Sequence, residues 1–273
     1  MSRFSRDYEL VITLLNGDVV KITPELRVQF EVTKSIKGAL NNCKIKIYNL
    51  NNDKRRKLVK DKEDNRMRLP FLFKAGYDRL ETIFKGTVLE AFSEKQGSDF
   101  ITTINSLDGG VDYLNSFTSK TVTNNDTKNI LSDMPNTHHG KITPRKKLIR
   151  PKVLVGNSAK LIEDSLADDE TYFIDEEKLY IIKDDEVLSN YIPLINVETG
   201  LLKTPTKKKQ EITIQTLLNP AVKIGCLVKL ESVTADWLNG TYKVNTIKYK
   251  GDNYGSDWSM EISCLAGQNF KVI

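Results

Sequence analysis

The sequence predicts a mainly β (α+β) chain in which two related antiparallel β domains flank a small α+β insertion. Three observations carry that prediction. Apolar residues recur at every second position in the first part of the chain and again after Pro193. The stretch between them changes to short helical stripes and polar loops. Several motifs of the first region then return in the same order in the last. The expected boundaries are 1–117 for the first β domain with a short helix insertion, 118–192 for the α+β insertion, and 193–273 for the second β domain.

Tyr8 to Leu15, Asn16-Gly17 and Asp18 to Ile22 read as a hairpin, since Asn-Gly tolerates the positive φ angles of a tight primed turn. Leu26, Val28, Phe30 and Val32 share one face of the next strand. Cys43, Ile45 and Ile47 do the same, with Lys44 and Lys46 opposite. Asp53 is the expected N-cap of a short, mostly solvated helix through Lys62. Leu69, Phe71, Phe73 and Ala75 alternate until Gly76 breaks the run, and strands follow around Ile83 to Phe92 and Phe100 to Leu107.

In the middle, short helices are expected near Thr127 to Met134 and from Ser158 to Ala167, the second capped by Ser158. Its apolar stripe is narrow: Leu161, Ile162 and Leu166. Tyr172 to Asp175 and Lys178 to Ile182 form a hairpin across Glu176-Glu177.

Strand periodicity resumes with Ile212, Ile214 and Thr216, turns at Asn219-Pro220, and continues from Cys226 to Glu231. Asn239-Gly240 signals a turn. Tyr242 and Val244 share a face, but Ile247 and Tyr249 are out of phase with them, as a β-bulge would produce. Trp258, Met260, Ile262 and Cys264 finish with clean alternation.

The two β regions align as a repeat. Phe84-Lys85-Gly86-Thr87-Val88 matches Leu238-Asn239-Gly240-Thr241-Tyr242 at an offset of 154. Gly97-Ser98-Asp99-Phe100 matches Gly255-Ser256-Asp257-Trp258, and Leu107-Asp108-Gly109 matches Leu265-Ala266-Gly267, both at 158. One hairpin tip is therefore expected to be four residues longer in the second copy. Upstream, Ile45-Lys46-Ile47 corresponds to Ile212-Thr213-Ile214. The Gly-Ser-Asp-aromatic segments read as turn-to-strand junctions, with no catalytic role for the adjacent serine and aspartate.

The chain has 273 residues, 39% of them hydrophobic and 28% charged, which excludes disorder and fits an ordinary globular protein with a sizeable core. No run approaches the roughly 20 apolar residues of a membrane helix. Met1 to Asp7 carries Arg3 and Arg6 with no apolar run behind them, so no secretion or anchoring signal is expected. Cys43, Cys226 and Cys264 are odd in number and scattered, which argues for a reducing compartment and against disulfides or a cysteine zinc site. The charge is +5 with a pI of about 8.9. Basic residues are dispersed except at Arg145 to Arg150 and Lys207 to Lys209, both beside prolines and read as solvated loops.

Recognisable catalytic chemistry is sparse. The only histidines, His138 and His139, are adjacent in an expected loop, and neighbouring side chains rarely converge on one metal. Phosphate-loop, zinc-protease and nucleophile-elbow motifs are missing. Asp168 to Glu170 and Asp184 to Glu186 lack calcium-loop spacing and read as turns. No catalytic, cofactor-binding or metal-binding residue is assigned, no cofactor is expected, and an enzyme is not expected.

One resemblance spans most of the chain. Asn42-Cys43-Lys44-Ile45-Lys46-Ile47-Tyr48-Asn49-Leu50-Asn51 with Arg56 and Leu58, Ala75-Gly76-Tyr77, and Ile83-Phe84-Lys85-Gly86 resemble the baseplate hub proteins of bacteriophage tails. So do Glu198-Thr199-Gly200-Leu201-Leu202 with Pro205, and Leu217-Leu218-Asn219-Pro220 with Gly225. The likeness is weakest from Thr118 to Arg150. It implies that the two β domains are tail-tube-like β-barrels and that three chains close into a ring, a homotrimer. Six similar barrels would let a sixfold tail tube meet a threefold central spike, making the hub a symmetry adaptor that lines the tail channel. The implied partners are the tail tube protein hexamer, the central spike protein trimer and other baseplate proteins. DNA would be met only in transit through the lumen, and no membrane insertion is expected. The implied location is the virion tail baseplate, after folding and assembly in the bacterial host cytoplasm. A fused lysozyme or spike domain is not expected within these 273 residues.

Two rival readings remain from the residues themselves. Paired barrels with basic loops and aromatics suit a single-stranded nucleic-acid-binding module, and carboxylates between the barrels would suit an enzyme. Salt-sensitive DNA binding would mark the first rival, and turnover lost with one buried Asp or Glu the second.

Overall fold

A computed structural model describes residues 5–37, 40–59, 68–77, 79–123, 127–143, 150–265 and 270–272. The first strands are β1 (Asp7–Thr13), β2 (Val19–Ile22), β3 (Val28–Ser35) and β4 (Asn42–Tyr48). Alternation sets their inward faces: Tyr8, Leu10 and Ile12 in β1, Val28, Phe30 and Val32 in β3, and Cys43, Ile45 and Ile47 in β4 are buried. The β1–β2 turn differs from the expected primed turn. Gly17 N–H donates to the Leu14 carbonyl (3.0 Å), Leu14 N–H donates to the Asp18 carbonyl (2.8 Å), and only Gly17 is left-handed, at φ +86°. This is a three-residue loop with glycine in the bulge position.

Helix α1 (Asn52–Leu58) is capped by Asn51, whose side chain accepts from Lys54 N–H, and Asp53 sits in the first turn instead of at the cap. The expected end at Lys62 lies outside the described residues. Strand β5 (Pro70–Tyr77) continues through Gly76, and β6 (Arg79–Gln96) and β7 (Asp99–Leu107) follow.

The insertion is richer in strands than its periodicity indicated. After α2 (Gly110–Asn115) come β8 (Phe117–Val122), α3 (Lys128–Leu131), β9 (His138–Ile142), β10 (Lys152–Asn157), α4 (Ser158–Glu163), β11 (Glu170–Asp175) and β12 (Lys178–Lys183). Asn157 caps α4 through Lys160 N–H, and Ser158 is its first helical residue. The helix stops short of Ala167 because Ser165 and Leu166 bond three residues back, to Ile162 and Glu163, tightening the last turn. The β11–β12 turn is the expected one, with Glu176 (φ +53°) and Glu177 (φ +61°) both left-handed.

Strand β13 (Glu186–Val187) closes the insertion, and the last region holds β14 (Leu194–Ile195), β15 (Thr206–Lys208), β16 (Glu211–Leu217), β17 (Leu227–Leu230), β18 (Gly240–Asp252), β19 (Trp258–Leu265) and β20 (Lys271–Val272). Asn239-Gly240 ends a 3-10 turn, Asp236–Leu238, that leads into β18. One 13-stranded sheet runs β15-β16-β19-β18-β3-β4-β7-β6-β5-β1-β2, with β17 pairing β18 and β14 pairing β17. The core crosses its midpoint: Phe30 lies edge-on to both Phe73 (4.8 Å) and Trp258 (5.2 Å). A second cluster, including Ile130, Met134, Ile162, Ile174 and Ile181, fills the insertion. No helix among the described residues is long and apolar enough to cross a membrane.

Candidate functional site

The sheet contains one strand order twice. In the first half β3, β4, β7, β6 and β5 are neighbours in that order; in the second, β15, β16, β19, β18 and β17 are. The bulges align as well. Val88 pairs Ser106 and Glu90 pairs Asn105, skipping Leu89, while Val244 pairs Cys264 and Thr246 pairs Ser263, skipping Asn245. The phase shift at Ile247 is this second bulge.

Register corrects two of the sequence alignments. Residue 88 corresponds to 244, an offset of 156 where the motif match gave 154, while residue 106 corresponds to 264 at the expected 158. Gly86 is therefore equivalent to Tyr242, and the resemblance of Gly86 to Gly240 is coincidental. Counted between the pairs Gln96–Asp99 and Asp252–Asp257, the second joined by the Asp252 N–H to the Asp257 carbonyl, the hairpin tip is Gly97-Ser98 in one copy and Asn253 to Ser256 in the other, two residues longer and not four. Likewise Ile45, opposite Ile104, corresponds to Ile214, opposite Ile262. Both corrected matches had slipped by two residues, which keeps every side chain on its proper face and so leaves alternation undisturbed.

The halves join where β3 pairs β18. Val32 lies opposite Tyr249, Glu31 opposite Lys250 and Thr33 opposite Lys248. One edge of β18 is thus shared: Gly240 to Lys243 take β17, and Thr246 to Asp252 take β3. The equivalent strand β6 shares its edge differently. Arg79 to Thr87 take β5, but beyond them Ala91 to Gln96 meet β7 on one side and no strand on the other among the described residues. The equivalent of β3, namely β15, is a terminal strand bonded, among the described residues, only to β16. Among the described residues, each half therefore carries an open edge at this place in the repeat, in addition to the edges of β2 and β14.

A buried polar clamp fixes the insertion to this sheet. Lys34 continues the inward phase of Val28, Phe30 and Val32, and its ammonium donates to Asp175 Oδ1 at 2.7 Å. Burial pulls the Lys34 pKa down, but Asp175, Tyr249 and Glu176 raise it above its ordinary value. Asn41 Nδ2 donates to the Ile174 carbonyl and to Asp175. Asp108 accepts the N–H groups of Glu176 and Glu177 (2.7 and 2.9 Å), holding the left-handed turn. Burial, with the nearby Asp175 charge, pushes the Asp108 carboxyl up to about 7. Sequence reading missed this clamp, although the signal was present: a lysine where the alternation calls for an apolar residue.

The other residues singled out by sequence lie apart from it. His138 and His139 are exposed and belong to strand β9, not to a loop. Cys43 and Cys264 are buried on opposite halves, and burial pushes both thiols up. Asp169 pairs with Lys183, Asp185 with Lys271, and Glu186 accepts from Thr143 and Lys183 N–H. Among the described residues no group of three metal-binding side chains forms. Of the basic runs, Lys207 and Lys208 lie in β15 and Lys209 in the turn that follows, all exposed. Residues 145–149 lie outside the described residues.

A family model described as "Baseplate hub gp41" matches residues 8–264. The fold is similar to that of a 43 kDa tail protein from prophage MuSo2 of Shewanella oneidensis, at TM-score 0.65 and 10% identity over 96% of this chain and 97% of that one. A tail protein from Neisseria meningitidis MC58 gives 0.62 and 8%, covering 96% and 98%. An E. coli component of the type VI secretion system gives 0.58 and 8%, covering 89% and 74%. No curated protein matches significantly.

Proposed function

Since the chain belongs to the baseplate hub gp41 family, a structural component of the phage tail and hence of the virion, we propose that it works as a homotrimer adapting the sixfold tail tube to a threefold central spike. One observation carries this reading: a single strand order, with matching bulges, used twice in one sheet. Three chains then present six similar strand units, and a sixfold partner meets nearly equivalent surfaces on one face.

In this reading the units are tail-tube-like barrels, the first within 1–117 and the second within 193–273, with the 118–192 insertion beside them. The channel they line passes DNA, the spike trimer and other baseplate proteins attach opposite the tube, and assembly takes place in the host cytoplasm. Function rests on shape and edge pairing, so the hub itself performs no catalysis. Gel filtration with light scattering tests the trimer. A mass of three chains is expected, and a monomer at every concentration, with or without tail-tube protein, would contradict it.

A further inference from the structure

We propose that β15 of one copy adds to the open Ala91–Gln96 edge of β6 in a second copy, in the register that β3 holds on β18 within the chain. The inference rests on the trimeric reading above and names its contact. Equivalence fixes the register. Cys43 and Ile212 occupy the same place in the repeat, so their partners Val32 and Lys207 correspond, and residues of β18 correspond to those of β6 at an offset of 156. The seam pairs Val32–Tyr249, Glu31–Lys250 and Thr33–Lys248 therefore become Lys207–Ser93, Thr206–Glu94 and Lys208–Phe92 between copies.

The charges support that partner. At the seam, β18 offers Lys248 and Lys250 while β3 offers Glu31. At the open edges the signs are exchanged on the face of Phe92: β6 offers Glu94 there, with Lys95 on the opposite face, and β15 offers Lys208 towards Glu94 and Lys207 on the other face, all exposed. Lys208 would sit opposite Phe92, itself 39% exposed, with Glu94 as its diagonal neighbour. Laid on a β18-type edge instead, Lys208 would face Lys248 and be repelled. The exchange thus selects head-to-tail pairing of second half to first half, the heterologous contact that closes a ring. It also gives the Lys207–Lys209 run a role, and covers two edges that would otherwise invite unspecific pairing.

Cysteine pairs test the register. In a Cys226→Ser background, Glu94→Cys with Thr206→Cys should give disulfide-linked species up to three chains under mild oxidation. Glu31→Cys with Lys250→Cys, the same register inside one chain, calibrates the geometry and should stay a single chain. A charge exchange provides a second reading. Glu94→Lys should weaken self-association at low salt by about threefold to fivefold, and adding Lys208→Glu should restore it. Unlinked chains together with no response to the charge exchange, in a protein that still weighs three chains, would overturn the contact and leave the trimer standing. The lysines would then only blunt an edge. A monomer with neither response would overturn both.

Discussion

Lys34 in β3 and Asp175 in β11 form an ion pair at 2.7 Å with side chains only 2% and 12% exposed, so the sheet and the insertion are locked through one buried charge pair. Taking one member away strands the other in a medium that cannot solvate it. Lys34→Met should destabilise the protein by about 3–5 kcal/mol in urea titrations followed by tryptophan fluorescence. Lys34→Met with Asp175→Asn should recover at least half of that loss, because no lone charge remains.

Asp108 should give the protein an unusual pH response. Its folded pKa is raised from 3.8 to about 7, so as pH rises the unfolded chain releases this proton first. Between those values the native state holds more protons, and this group's contribution to stability falls with increasing pH. Wild type minus Asp108→Asn should lose up to about 4 kcal/mol from pH 4 to pH 7. Denaturant midpoints measured across that range would show a flat difference if the carboxyl titrates normally.

Asp252 should behave in the opposite sense. Although burial pushes its carboxyl up, bonds from Arg27, Gln29 and the Tyr254 amide hold it well below the usual carboxylate range. The stability it supplies is present above its unfolded pKa near 4 and is lost as pH falls below that. Asp252→Asn should cost about 1–2 kcal/mol at pH 7 and progressively less in acid, read from thermal melts.

The corrected alignment makes a prediction about two glycines. A Cβ on Gly86 would lie 2.4 Å from the Leu107 carbonyl oxygen, which is backbone held in a central strand pair. On Gly240 the nearest atom is the Tyr242 hydroxyl at 3.3 Å, the far end of a side chain. Gly86→Ala should cost about 3 kcal/mol and Gly240→Ala less than about 0.5 kcal/mol in the same denaturation assay. Equal costs would return the two glycines to equivalent places.

Much of this was legible before coordinates, and the parts that were not have physical reasons. Alternation located the inward residues of β1, β3, β4, β5, β16 and β19, because burial on one face leaves a period of two. The same period hid a two-residue slip, since Ile212 and Ile214 are interchangeable to a pattern that records only faces. Cap identity at Asn51 and Asn157 was misplaced by one or two residues, where several capping side chains stand together. Strands β8, β9 and β10 are short and flanked by polar residues, so they left no periodic signal. The open edges were illegible for a different reason: an unpaired edge is a property of topology, visible only once β3 is seen lying on β18.

Electron microscopy of the protein assembled with a tail-tube protein tests the central claim most directly. The account predicts a threefold ring of three chains with six similar lobes, seated on the end of the sixfold tube. A twofold dimer or an open filament of chains would contradict it.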